Sequence, residues 1–305
     1  MYQATRVSRS EFVPVRTLSY HVRLWGEPST RKPPLVLLHG WMDVAASWQF
    51  VVDALADARF VIAPDWRGFG LTEGGGVDNY WMPDYLADLD CLLDHYVGDT
   101  QIDLVGHSMG GNVLMHYCGV RPQRVRRAVN LEGFGMPRFQ PAEAPARYGK
   151  WIDQIKQLHR GEMALASYPG VEGVCRRLMK TNPRLSLDKA QWLAAHWSVG
   201  KPAADGAERW EILGDPAHKV INANLFRVDE MLSIYAAITA PLLAIEASDD
   251  SLRGWWKGRY SLAEYHERLK SVPDVRIALV EDAGHMLHHD QPARVASLIE
   301  DFLAS

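Results

Sequence analysis

Residues Gly106-His107-Ser108-Met109-Gly110 constrain this chain more than any other stretch. Before them, residues 101–105 are short and mostly apolar, as suits a central strand; after them, residues 112–120 form a mixed apolar segment of helical length. A serine on so sharp a strand-to-helix turn takes a strained backbone, and the flanking glycines remove side chains that would collide there. The turn lifts the Ser108 hydroxyl above the sheet edge. It also aims the Met109 N–H at the place where an oxyanion would form, with the positive end of a helix dipole behind it.

The rest of the chain supports that reading of residues 101–120. Residues 11–15 and 18–25 predict two short strands of an antiparallel edge. Leu35-Val36-Leu37-Leu38 and Phe60-Val61-Ile62-Ala63 are continuous apolar runs of strands covered on both faces. Residues 45–56 and the spacing of Tyr85, Leu86, Leu89, Leu92, Leu93 and Tyr96 predict helices. Residues 125–131 predict another strand. This alternation implies a mostly parallel sheet with helices on both faces.

The alternation breaks at Glu132. Residues 133–239 hold helix-like pieces at 150–160, 171–180, 187–197 and 225–238, many prolines and no buried-strand run. Ser186 is placed to N-cap the third piece. The segment reads as a helical cap inserted into a core made of residues 1–132 and 240–305. The sheet resumes with Pro241-Leu242-Leu243-Ala244-Ile245, followed by a helix at 260–270, a strand at 275–280 and a closing helix at 293–303.

Sites in open α/β sheets form at the carboxyl ends of strands. Ser108, the Asp249-Asp250 pair, Gly284-His285 and His39-Gly40-Trp41 all fall there. A serine hydroxyl is a weak nucleophile that needs a base, and the base needs a carboxylate to orient it. His285 is placed to be that base, and the chain order Ser…Asp…His suits this kind of sheet.

These motifs resemble the α/β-hydrolase superfamily over the whole chain except the insertion. His39-Gly40-Trp41 is similar to that family's oxyanion loop, which implies the Trp41 N–H as a donor beside that of Met109. Asp65-Trp66-Arg67-Gly68-Phe69-Gly70 is similar to its D-x-R-G-x-G loop, with Arg67 a structural anchor. Gly284-His285-Met286-Leu287-His288-His289-Asp290-Gln291-Pro292 is similar to its G-H-x-x-x-x-E-x-P ending, which identifies His285 as the catalytic histidine. The family's acid aligns with Asp250, although the glycine that usually precedes it is Ala247. Some relatives carry the acid after the sixth strand, where Glu132 stands; Asp249 is a third choice.

The resemblance implies a serine hydrolase of carboxylic esters or related acyl compounds. Thioesters, lactones, C–C bonds and perhydrolysis are open to the same triad, and a small-molecule receptor or an inactive scaffold is open to the same fold. A serine at position 108 argues against epoxide hydrolases and haloalkane dehalogenases, whose nucleophile is an aspartate. Candidate substrate contacts are His39, His107, Trp151, Trp192 and Trp197, the last three among 11 tryptophans. No metal or organic cofactor is called for, and the run His285 to His289 lacks a nearby Cys or acid set with ligand spacing.

A net charge of −4 gives no reason to invoke nucleic acid or an anionic membrane as partner. No run reaches the ~20 apolar residues of a membrane span. The three cysteines, Cys91, Cys118 and Cys175, are scattered and odd in number, so free thiols in the cytoplasm are expected.

Overall fold

The run Leu35 to Leu38 shows how the layers are built. In the computed structural model, which describes residues 2–202, 206 and 208–305, Val36 and Leu38 pack into one buried apolar cluster and Leu35 and Leu37 into another. Side chains alternate along a strand, so a run apolar at every position belongs to a sheet covered on both faces.

Along the chain the first strands are β1 (Arg9–Val15), β2 (Leu18–Trp25), β3 (Leu35–Leu38), β4 (Val61–Pro64), β5 (Ile102–His107) and β6 (Val125–Leu131). After β7 (Ser167–Tyr168), β8 (Ser198–Pro202) and β9 (Glu208–Ile212) come β10 (Leu242–Ala247) and β11 (Val275–Val280). The main sheet has the order β1-β2-β4-β3-β5-β6-β10-β11. Its β1–β2 and β2–β4 pairs are antiparallel and the others parallel, so the antiparallel edge and mostly parallel sheet expected from the pattern are both present.

Helices α1 (Gln49–Ala54), α2 (Met82–Val97), α3 (Met109–Val120), α4 (Ala144–His159), α5 (Val171–Thr181), α6 (Leu187–Trp197), α7 (Val228–Ala236), α8 (Ser251–Trp256), α9 (Leu262–Leu269), α10 (Leu287–Asp290) and α11 (Pro292–Ala304) complete the chain. Val51 of α1 and Ile299 of α11 pack in the cluster that holds Leu35. Leu89 of α2, Val113 of α3, Met231 of α7 and Tyr265 of α9 pack in the cluster that holds Val36. No helix among the described residues is long and apolar enough to cross a membrane. All three cysteines are free, with Cys118 and Cys175 buried.

Between β6 and β10 the structure departs from the sequence reading. Four helices occur near the expected places, but β7, β9 and β8 also form a three-stranded antiparallel sheet. These strands are short, largely polar and mostly exposed or half-buried, so they carry neither an apolar run nor a clean alternation. Ser186 holds the N-cap position of α6, but its hydroxyl donates to Asp188 (2.6 Å) instead of capping the backbone. Helix α8 was not expected at all.

The segment touches loops at the carboxyl ends of four strands. Trp197 Nε1 donates to Asp43 after β3 (3.2 Å), and Gly70 N, after β4, donates to Leu213 O (3.0 Å). Arg184 pairs with Asp249 after β10 (2.7 Å), and Asn182 donates to Asp290 (2.7 Å) beyond β11.

The loop after β4 is fastened from within. Arg67 donates from Nε and Nη2 to both oxygens of Asp88 on α2 (2.6 and 2.7 Å), and Tyr20 Oη donates to the same carboxylate (2.8 Å). Asp88 is fully buried, which confirms Arg67 as a loop anchor. Removing one partner of a buried pair leaves the other charge uncompensated. Asp88→Asn should therefore destabilise the fold by about 3–5 kcal/mol, read as a lower midpoint in urea unfolding. A midpoint unchanged from wild type would show that this pair does not hold the loop.

Candidate active site

Ser108 stands between β5 and α3 with φ 53° and ψ −113°, a backbone that L residues rarely adopt. The glycines permit the tight turn. A Cβ on Gly106 would lie 2.4 Å from Gly110 O, and one on Gly110 would lie 2.3 Å from Leu38 O. Met109 is the first residue of α3, so its N–H has no acceptor within the helix and is free for a ligand. Gly40 closes in from the other side: a Cβ there would lie 3.2 Å from that of Ser108. The backbone leading into Trp41 thus runs directly beside the serine.

His285 lies on the loop between β11 and α10. Its Nε2 is 2.9 Å from Ser108 Oγ, and its Nδ1 is 3.0 Å from Oε2 of Glu132. A carboxylate only accepts, so Nδ1 carries the proton and Nε2 presents its lone pair to the serine hydroxyl. Glu132 directly follows β6 with φ 53°. Its side chain is 1 % exposed, and it accepts further hydrogen bonds from Ala247 N and Ser251 Oγ, both 2.9 Å. Buried Asn130 shapes this turn: its Oδ1 accepts from Gly133 N (2.9 Å) and its Nδ2 donates to Gly133 O (3.0 Å).

Burial opposes charge on both members of this pair. Desolvation pushes the Glu132 carboxyl up to about 7, with the bonds from Ala247 and Ser251 pulling the other way. Desolvation also lowers the His285 imidazole to about 4. The pair's upper titration, which leaves Glu132 ionised and His285 neutral with Nδ1 still protonated, therefore falls near neutral pH and belongs to the pair as one unit.

The aspartate that aligned with the family's acid is elsewhere. Asp250 N-caps α8, its carboxylate accepting from Arg253 N (2.9 Å), and it makes no bond to His285. The chain after β10 winds into a helix, and capping that helix takes the Asp250 carboxylate. Asp249 is held by Arg184. Of the three candidate acids, the structure brings only Glu132 to His285.

The expected substrate contacts also need correction. His39 is buried and both its nitrogens serve loop backbone: Nε2 accepts from Trp66 N of the loop after β4 (2.9 Å), so Nδ1 donates to Gly40 O of its own loop (2.8 Å). His107 is buried, with Nε2 donating to the His285 carbonyl (2.7 Å). Trp192 packs against Tyr2 and Phe50. Trp197 is buried in the core cluster with its indole N–H on Asp43. Trp151 is partly buried on α4, its Nε1 without a hydrogen-bond partner, and no recorded contact joins it to Ser108 or His285.

The residue that the sequence reading missed is Trp255 of α8. Its ring meets that of His285 edge-on, centroids 4.4 Å apart, and the side chain is half exposed. The Trp255-Trp256 doublet was the signal available. Trp41, also half exposed, follows Gly40 on the other side.

Comparison with known proteins agrees with this geometry. The family model described as the alpha/beta hydrolase fold matches residues 33–292. The AB hydrolase superfamily protein YfhM of Bacillus subtilis (strain 168) is 24% identical over 306 residues, covering 97% of this chain and 98% of that one. Epoxide hydrolase 2 of Siraitia grosvenorii is 37% identical over 297 residues, covering 89% and 92%. Among solved structures, carboxylesterase CesB (YbfK) from Bacillus subtilis superposes with a TM-score of 0.64 at 18% identity, covering 98% and 93%. A serine on a strained turn, a histidine and a buried carboxylate converging from three strand ends of such a sheet place this chain in the α/β hydrolase family.

Proposed function

We propose that the protein is a serine hydrolase of carboxylic esters or close acyl relatives, with Ser108 as nucleophile, His285 as base and Glu132 as the acid. The observation that carries this reading is the unbroken chain Ser108 Oγ, His285 Nε2, His285 Nδ1, Glu132 Oε2, with links of 2.9 and 3.0 Å. Ser108 Oγ bonds to the acyl carbon as its proton passes to His285 Nε2. The carbonyl electron pair moves onto oxygen, held by the N–H groups of Met109 and Trp41. His285 then gives the proton to the departing alkoxide as the C–O bond breaks, leaving an acyl-serine. Water attacks this ester, yields a proton to Nε2 and releases the acid, and Ser108 Oγ recovers its proton. Glu132 stays ionised and stabilises the imidazolium.

The epoxide hydrolase relative is the competing reading. In that chemistry a carboxylate attacks the ring, and position 108 offers a hydroxyl instead. A receptor or scaffold with this fold would not need the hydrogen-bonded serine. A fluorophosphonate probe should label the protein at Ser108 and leave a folded Ser108→Ala variant unlabelled, with ester turnover down roughly 10⁴–10⁶-fold. A folded Ser108→Ala protein within tenfold of wild type would overturn the assignment.

The acid is tested by two substitutions on one activated ester. Glu132→Gln should lower kcat by roughly 10³–10⁴, whereas Asp250→Asn should stay within about tenfold of wild type, its loss being a helix cap. The pH profile separates a catalytic from a structural effect. The active form is the deprotonated pair, so kcat/KM should rise with pH through a limb at about 7. In Glu132→Gln only the buried imidazole titrates, so the limb should move well below its ordinary ~6.5. A limb unmoved by that substitution, or a collapse in Asp250→Asn, would return the acid to β10.

Residues 133–239 are taken as a cap over the serine, since their contacts reach loops after β3, β4, β10 and β11. The half-exposed Trp255 ring against His285 and the half-exposed Trp41 that follows Gly40 favour a substrate with an apolar group. Hexanoyl esters should exceed acetyl esters in kcat/KM, and Trp255→Ala should cut that preference severalfold. Equal rates for the two esters in wild type would refute an apolar acyl site.

A further inference from the structure

Behind the reacting pair lies a second group of polar side chains that the triad does not use. Asp43 Oδ2, His288 Nδ1 and His289 Nε2 are buried and have no hydrogen-bond partner, and none of these residues is more than 4 % exposed. One carboxylate oxygen of Asp43, one nitrogen of His288 and one nitrogen of His289 lie within 4.8 Å of one another. The nearest measured approach, His288 Nε2 to Asp43 Oδ2, is 3.9 Å, too long for a hydrogen bond. Buried polar atoms left so are costly, and a small polar occupant held by Asp43, His288 and His289 would remove part of that cost.

We propose that Asp43, His288 and His289 bind one divalent transition-metal ion of the zinc class. Two imidazoles and one carboxylate are a donor set that zinc takes, at about 2.0–2.2 Å per bond. The imidazoles are in the ligating form, because burial pushes both well below the ordinary range of histidine and keeps them neutral. The outer groups are in place as well. Asp43 Oδ1 accepts from Ser47 Oγ and Trp197 Nε1, which turns Oδ2 toward the histidines. Trp48 and Phe50 supply an apolar wall against the two rings. Tetrahedral ligands at those bond lengths lie about 3.3 Å apart, so the group has to contract by an ångström or so on binding.

Position gives the ion a task. Asp43 lies two residues beyond Trp41, and His288 lies three beyond His285. An ion held between them ties the loop offering the oxyanion donor to the loop carrying the base. It acts as a clip and takes no part in bond making at Ser108.

The test uses the full-length protein, stripped with a chelator and then titrated with Co²⁺. One Co²⁺ per chain should bind with visible d–d absorption, and Zn²⁺ should displace it. Asp43→Asn and His289→Gln should each weaken binding at least tenfold while circular dichroism stays native. Zn²⁺ at about a hundredfold excess over its Kd should raise the wild-type Tm by roughly 3–6 °C, and not that of either variant. A wild type that binds no Co²⁺ and gains no Tm, as expected if an ordered water fills the gap, would overturn the proposal. So would undiminished binding in both variants, which would place the ion on exposed histidines such as His159. Should one variant fail to fold, the wild-type stoichiometry and Tm still decide.

Discussion

The burial of the Glu132 carboxylate against His285 is the interaction on which the site depends. A charge removed from water survives only with its lone pairs filled. Here three donors surround it: the backbone of Ala247, the hydroxyl of Ser251 and the His285 ring. Two of them come from β10 and the start of α8, and the third from the loop after β11. One carboxylate therefore knits three strand ends together, and any shift of one strand against the next would break a bond in a place water cannot repair. The same burial holds the imidazole neutral at rest, so that it can accept a proton from Ser108.

The sheet supplies the geometry without help from long-range charge. Strands β5, β6 and β10 are neighbours and parallel, so Ser108, Glu132 and the Ala247 amide emerge at one edge. Two of the residues with left-handed backbone lie at the site. Both Ser108 and Glu132 sit at φ 53°, and the Gly111 and Gly133 backbones approach each other closely between them, with a Cβ on Gly133 falling 2.8 Å from the Gly111 Cα. Asn130 and Asn112 close the remaining gaps, each bonding the backbone of the turn after β6. The strained residues are held by a rigid frame, as over-determined backbones must be.

Much of this was legible in the chain because it follows from local chemistry. Apolar runs such as Leu35 to Leu38 announce a sheet covered on both faces, and a serine between glycines after such a run announces the turn. His285 and the Arg67 anchor followed from their motifs. The acid did not, because the choice between Asp250 and Glu132 depends on whether the chain after β10 stays a loop or winds into α8. A six-residue helix with polar and aromatic residues has no periodicity to betray it. The strands β7 to β9 escaped for a related reason, being short and largely polar. The histidines failed in the opposite direction. His39 and His107 stood among the candidate contacts, yet tertiary packing buries both, spending both nitrogens of His39 and Nε2 of His107 on backbone groups.

That last point bears on how function is read from this fold. A polar side chain near a catalytic serine has three possible employers: the substrate, the loop that carries it, or a neighbour that needs orienting. Hydrogen-bond saturation distinguishes them. His39 is saturated by the backbone of its own loop and of the loop after β4. His107 gives Nε2 to the His285 carbonyl, so it holds the loop that carries the base, while its buried Nδ1 has no hydrogen-bond partner. Trp41 and Trp255 are the reverse case: both are large and half exposed, and the Trp255 ring meets that of His285. Exposed aromatic surface of that size is unfavourable in water and becomes useful when an apolar group covers it. On the proposed reading, these exposed rings and the Ser108, His285 and Glu132 side chains are separate sets of residues, so apolar selectivity and reactivity can vary independently on one scaffold.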